Sequence, residues 1–483
     1  MESIRTQAAK GAGWSAAEGI AGQVISFLLF LALARLLTPS DFGVVAVANL
    51  CVMIIQAFIY QGLGQAIIQF ADLDDQYLDT VFCINLAAGI FFFLLTLLMA
   101  PWVGHWFQTP GLAGVLCWLS PVFLISGLTD VQNNLLARKM NFQALARRTL
   151  FSYFAGGIVG VAMALRGGGV WSLVGQQLTI AVVNLIVLWT ASDWRPGFQF
   201  CPRRARRLLI FGVKIFWVDL LGLINRRSDQ LFIGKFFGPL TTGFYAVGSR
   251  VSMLLSEILA KSIARVSLSA LSRLQNQTAR FADALCEIVE MQGVLVFPIA
   301  IGLAVVAPEV MHICFGAKWA ASVPIMQALL LACPFDALSG AHHSALVAQG
   351  RPGWSSLLTT AHAVLNLIFF AVAIHWGAVA VALAFSLRAI LLYPVELLAL
   401  RHTLHFPILR FGKLVFFPIT ATCLMAGSLI LLRKDLLSAW PPAINLLVSV
   451  CLGAAIYIFL IIGLNRTLFQ KIRQLLLRPV VLV

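Results

Sequence analysis

Apolar residues in this chain do not alternate with polar ones at short period. They run in blocks of about 20, the length a helix needs to cross a hydrocarbon core. Fourteen blocks are predicted to span a membrane, at approximately 14–34, 42–64, 80–100, 114–136, 149–165, 170–190, 208–234, 241–266, 288–307, 323–348, 354–375, 377–399, 411–432 and 441–464. In lipid a helix satisfies its own backbone polar groups, so the expected class is an all-α polytopic membrane protein. Composition agrees: 60% of residues are hydrophobic and 11% are charged, where soluble domains carry roughly 25% charge.

The block pattern also repeats. Arg35-Leu36-Leu37-Thr38-Pro39 and Phe42-Gly43-Val44 lie over Lys235-Phe236-Phe237-Gly238-Pro239 and Thr242-Gly243-Phe244 at an offset of 200. Ala100-Pro101 matches Ala307-Pro308, and Pro121, Ser126, Gly127 and Arg138 match Pro334, Ser339, Gly340 and Arg351. Equivalent elements start an even number of spans apart, so both copies enter the membrane in the same direction. The expected architecture is two six-helix lobes, related by a parallel internal repeat around a central cavity, plus two C-terminal helices. The boundaries are 1–200 for an N-lobe with helices 1–6, 201–402 for a C-lobe with helices 7–12, and 403–483 for two further helices and an amphipathic cytoplasmic tail. Turns at Thr38-Pro39-Ser40 and Gly238-Pro239-Leu240 read as structural.

The formal net charge of +15 raises the question of nucleic acid, which the distribution of charge argues against. Alternate connections hold 21 Lys and Arg on one side and 6 on the other. That asymmetry predicts that both termini and the basic connections face the cytoplasm. Arg5 and Lys10 ahead of an apolar stretch ending Ala32-Leu33-Ala34 mimic a signal peptide. The repeat argues for retention, because the matching segment sits in mid-chain. The nine scattered cysteines contain no CxxC and read as packing residues, and His342-His343 as a polar pair within the bundle. No metal site is expected.

The remaining seven basic residues fall inside predicted spans: Lys214, Arg226, Arg227, Arg250, Lys261, Arg265 and Arg388. Six of them lie in spans seven and eight, against three acids, Asp219, Asp229 and Glu257. A buried charge costs about 2.5–3.5 kcal/mol on an insertion scale, so these groups must be paired, snorkelling or lining water. Arg250, Glu257 and Lys261 fall on one helical stripe. The surplus of positive charge suits an anionic head group such as a diphosphate, with Arg226, Arg227, Arg250 and Lys261 as candidate binding residues. Asp219, Asp229 and Glu257 are the supporting or ion-paired partners. Glu18, Asp130, Asp336 and Glu396 are the candidates for ion coupling, to a proton or to sodium, and no other cofactor is expected.

Leu33-Ala34-Arg35-Leu36-Leu37-Thr38-Pro39-Ser40-Asp41-Phe42-Gly43, followed by Gly62-Leu63-Gly64-Gln65-Ala66, resembles the opening of Wzx-type polysaccharide flippases. Leu135-Leu136-Ala137-Arg138-Lys139-Met140-Asn141-Phe142 resembles their fourth-span exit, and the likeness is nearest to the colanic-acid exporter type within the multidrug/oligosaccharidyl-lipid/polysaccharide exporter superfamily. The resemblance implies a transporter, not an enzyme. Its substrate would be an undecaprenyl-diphosphate-linked oligosaccharide, moved from the cytoplasmic to the periplasmic leaflet by alternating access for exopolysaccharide, capsule or O-antigen synthesis. It also implies membrane lipids as partners, with a polysaccharide polymerase and export machinery as candidates. Related lipid II flippases have cavity arginines in both lobes, whereas the first six spans here contain none. A drug or cation antiporter on the same scaffold is the alternative, disfavoured by the basic surplus. A membrane polymerase or glycosyltransferase is the third reading, resting on the D-x-D pattern of Asp72-Leu73-Asp74-Asp75.

Overall fold

The computed structural model describes residues 4–60, 63–69, 74–404, 408–434 and 440–464, and among these the regular structure is helical with no β-strand. Contacts divide the chain into two compact units, Met1–Ala246 and Val247–Val483. The first holds α1 (Ile4–Leu36), α2 (Pro39–Tyr60), the short α3 (Leu63–Gln69), α4 (Asp75–Phe107), α5 (Leu112–Leu119), α6 (Pro121–Arg138), α7 (Phe142–Leu165) and α8 (Val170–Ala191). A kinked α9 (Pro202–Arg273) passes from the first unit into the second. The second continues with α10 (Thr278–Val305), α11 (Ala307–Cys314), α12 (Val323–Leu330), α13 (Cys333–Ala348), α14 (Pro352–Ala373), α15 (Ala378–Leu404), α16 (Ile408–Leu432) and α17 (Pro442–Leu464).

Among the described residues, twelve helical stretches are long and apolar enough to cross a membrane, and they overlap twelve of the fourteen predicted blocks. The chain is therefore a multi-pass membrane protein. The other two blocks, 208–234 and 241–266, both lie within α9. The tripeptide Ala32-Leu33-Ala34 lies inside α1, with Leu33 and Ala34 buried. The predicted amphipathic tail lies outside the described residues.

The two copies of the Pro-containing turn use different local chemistry. Between α1 and α2 the Thr38 N–H donates to Asp41 Oδ2 at 3.0 Å, while the Asp41 N–H donates to Thr38 Oγ1 at 3.3 Å. This reciprocal capping box starts α2 at Pro39, whose missing N–H costs nothing in a first turn. In α9 the break falls at Gly238, where φ is +73°, a conformation that favours glycine. Pro239 then opens the second leg, and Thr242 Oγ1 donates to the Gly238 carbonyl at 2.7 Å.

The two turns meet. A Cβ on Gly43 would lie 1.7 Å from the Pro239 carbonyl oxygen, and one on Gly243 would lie 1.8 Å from the Pro39 carbonyl oxygen. The contact is reciprocal: the proline carbonyl of each turn faces the glycine of the other. The match at offset 200 thus corresponds to a backbone-on-backbone crossing in space.

The start of α9 is fastened within the first unit. Leu208 is fully buried among Leu63, Ile67, Val81 and Phe82, packing α9 on α3 and α4. Asp79, buried on α4, accepts from the Gly197 N–H at 2.8 Å and the Gln199 N–H at 3.1 Å. Asp74 accepts from the Tyr77 N–H at 2.9 Å as the cap of α4, and also bonds the Arg204 guanidinium. That guanidinium holds the Asp74 carboxyl below the usual carboxylate range, so the tie is intact at neutral pH and released only in acid. The D-x-D pattern therefore has its Asp74 engaged in structure, and Asp72 lies outside the described residues.

In the second unit α10 packs on α13 and α16 through Phe281, Leu285, Val289, Leu346 and Val415. α16 and α17 lie along α10, where the Tyr457 hydroxyl donates to the Val294 carbonyl at 2.9 Å. Arg433, just past α16, bonds Glu309 and the Val305 carbonyl.

Candidate functional site

The first leg of α9 carries Asp219, Arg226, Arg227 and Asp229. Arg226 is exposed, and its guanidinium folds back over Gly222, with Nη1 3.3 Å from the position a Cβ would take there. Arg227 is half-buried and lies within electrostatic reach of Asp229. Adjacent residues on a helix point about 100° apart, and these two accordingly meet different surroundings. Asp219 is exposed.

Asp229 is buried and also accepts two hydrogen bonds. The Tyr245 hydroxyl donates to its Oδ2 at 2.7 Å, and the Gln230 N–H donates to its Oδ1 at 2.8 Å. Asp229 sits on the first leg of α9 and Tyr245 on the second, so this bond spans the Gly238 kink and fixes the angle between the legs. Its helical spacing from the arginines shows nothing of this partner, because Tyr245 reaches it only once the chain bends.

On the second leg Arg250 is half-buried between buried Ser249 and Val251, and Glu257, seven residues on, is exposed. The side chains of Lys214, Lys261 and Arg265 lie outside the described ones.

The four candidate coupling acids fall into three separate groups. Glu18 on α1 accepts from Thr149 Oγ1 at 2.6 Å and lies 3.5 Å from Arg148, joining α1 to α7. Asp130 on α6 is buried and accepts from Asn85 Nδ2 at 2.8 Å and Asn134 Nδ2 at 3.0 Å. Asp336 and Glu396 come together through Arg388 and His362. Arg388 Nη2 lies 3.7 Å from Asp336 Oδ1, Arg388 Nη1 bonds His362 Nδ1, and His362 Nε2 meets Glu396 Oε1 at 2.7 Å. His342 Nδ1 meets Glu396 Oε2 at 3.0 Å.

Sequence reading left Arg388, His342 and His362 out of the site. The available signal was Arg388 itself: one basic residue in an otherwise apolar block must find a partner in the bundle.

A third feature is an apolar groove of about 620 Å³ between α10, α16 and α17, lined by residues including Val294, Ile299, Leu303, Met425, Leu429 and Ile458. Its volume is that of a small-molecule site, roughly 300–1,000 Å³.

A family model described as a polysaccharide biosynthesis protein matches residues 32–324. The chain is 28% identical over 331 residues to the succinoglycan biosynthesis transport protein ExoT of Rhizobium meliloti (strain 1021), a match covering 67% of this chain and 65% of ExoT. It is 22% identical over 351 residues to the lipopolysaccharide biosynthesis protein WzxC of Escherichia coli (strain K12), covering 72% and 71%. The solved structure of the lipid II flippase MurJ, in an inward closed conformation, superimposes with a TM-score of 0.77 at 15% sequence identity, covering 94% of this chain and 99% of that one.

Proposed function

Because this chain belongs to the polysaccharide biosynthesis protein family, whose model spans residues 32–324, we propose that it is a flippase for an undecaprenyl-diphosphate-linked oligosaccharide. It moves the sugars from the cytoplasmic to the outer leaflet of the bacterial inner membrane, and it does so as a transporter without covalent chemistry. The observation that carries this reading is that the two apolar blocks within α9, 208–234 and 241–266, hold six basic residues against three acids. A diphosphate supplies the charge that this surplus lacks.

Arg226, on the first leg of α9, and Arg250 and Lys261, on the second, are each candidate contacts for the diphosphate, while Arg227 is the arginine that balances buried Asp229. The apolar groove of α10, α16 and α17 suits several isoprene units of the carrier, leaving the rest of the tail in lipid. Alternating access then exposes the basic residues of α9 first to the cytoplasm and then to the opposite side. Basic connections face the cytoplasm, as their excess of Lys and Arg requires. A cationic drug is disfavoured because it would meet the same surplus as repulsion.

The two adjacent arginines should behave unequally. Arg226→Gln should lower transport at least about tenfold, the loss of one charge-assisted contact, with the unfolding temperature unchanged. Arg227→Gln should act mainly on stability, by about 0.5–3 kcal/mol in thermal unfolding of the purified protein. Equal, mild losses from both would remove Arg226 from the site.

The reading as a whole is tested in cells. Deleting the gene should stop polysaccharide export while lipid-linked oligosaccharide accumulates with its sugars on the cytoplasmic side. Undiminished export, with no accumulation, would rule this substrate out.

A further inference from the structure

The second unit buries a charge cluster that the head-group reading does not use. Arg388 is 2% exposed, Glu396 and His342 are fully buried, and His362 is 5% exposed. The cluster joins three helices: α13 supplies Asp336 and His342, α14 supplies His362, and α15 supplies Arg388 and Glu396. The hydrogen bonds fix the protonation pattern. A guanidinium only donates, so His362 Nδ1, bonded to Arg388 Nη1, must be the accepting nitrogen. His362 is then neutral, its hydrogen sits on Nε2, and it donates to Glu396 Oε1 at 2.7 Å. His362 therefore stands between one cation, Arg388, and one carboxylate, Glu396, in a bundle where charge is costly to bury.

We propose that this cluster is a proton-binding site in which His362 takes up the proton and passes Arg388 to Asp336. The proton comes from the aqueous phase through half-buried Asp336 and binds His362 Nδ1. No covalent bond between heavy atoms changes. The imidazolium keeps its hydrogen bond to Glu396 and loses the one from Arg388, because both partners are now donors. Arg388 Nη2 already lies 3.7 Å from Asp336 Oδ1, a gap that a small side-chain movement closes. Proton uptake thus moves Arg388 of α15 from α14 to α13, while Glu396 keeps α15 joined to both through His362 and His342. The inference deepens the transport reading and rests on it only for the use made of the proton.

Other titratable groups near the cluster are accounted for. His343 on α13 bonds Ser355 Oγ at 2.8 Å, and Tyr393 on α15 lies with its ring 5.3 Å from that of His342. α12 has no ionisable residue, and α10, packed on α13, brings Arg280, Asp283, Glu287 and Glu290 in its first half. His375, in the turn beside α14 and α15, is exposed, and α16 brings Arg410 and Lys413 at its start.

The test uses the full chain in proteoliposomes without substrate, followed by proton uptake and histidine ring bands in infrared difference spectra from about pH 8 to about pH 5, the range in which histidine changes charge. His362→Gln can keep both hydrogen bonds, donating to Glu396 and accepting from Arg388, yet it cannot hold the proton. The expected result is the loss of one proton per chain and of one histidine's spectral change. Asp336→Asn, at a half-buried position, leaves the displaced Arg388 without a carboxylate. It should move uptake to lower pH by about one unit or more. Uptake by His362→Gln equal to the parent, or an unmoved midpoint in Asp336→Asn, overturns the proposal. A protein that takes up the proton but moves no oligosaccharide upholds the site and counts against the transport reading instead.

Discussion

Arg250→Glu should abolish transport, lowering it at least about 100-fold, the equivalent of about 3 kcal/mol. The variant should remain folded and inserted. Arg250 is half-buried on the second leg of α9, so its charge is partly withdrawn from water and strengthened toward an anion. Reversal changes the local charge by two and sets a carboxylate against a diphosphate. Arg250→Lys should keep part of the activity, because an ammonium supplies the charge without the planar, bidentate geometry. Polysaccharide export in cells lacking the native copy, with membrane-inserted protein quantified in parallel, reads the effect. Normal export by Arg250→Glu would remove this residue from the head-group site.

Alanine at Gly43 or Gly243 should give the largest loss of stability. At either position the new Cβ would overlap a carbonyl oxygen at 1.7–1.8 Å, and that oxygen belongs to backbone, not to a side chain that can rotate away. The two turns must then separate, at a cost of about 1–3 kcal/mol or more. Because the contact is reciprocal, the substitutions should also be coupled. Once one alanine has opened the crossing, the second meets less resistance, so the double variant loses less than the sum of the single losses. Thermal unfolding in detergent measures all three. Unchanged unfolding temperatures, or strictly additive losses, would show that the crossing tolerates a side chain.

The parts of this protein legible in its sequence are those that a bilayer or a turn dictates locally. Hydrocarbon selects apolar blocks of a set length, which is why twelve predicted blocks coincide with helices. Thr38-Pro39 and Gly238-Pro239 announce helix boundaries through proline and glycine, and their repetition anticipates that the two segments are equivalent. What stays hidden is pairing between helices. Asp229 looks like a partner for nearby arginines by helical spacing, yet it accepts from Tyr245, sixteen residues on and across a kink. The bonds of His362 to Arg388 and Glu396 span 26 and 34 residues. Periodicity says which residues share a face, but not which neighbouring helix that face meets. Asp79 shows the same limit, because its partners are backbone N–H groups of 197 and 199, which have no sequence signature.

The measurement that bears most directly on the central claim is leaflet accessibility in proteoliposomes. Purified protein is given undecaprenyl-diphosphate oligosaccharide on one side, and an impermeant sugar-modifying reagent reports its arrival on the other. Flipping predicts protein-dependent modification that disappears in Arg250→Glu. No protein-dependent modification, in intact and correctly oriented vesicles with proton or sodium gradients imposed, would contradict it.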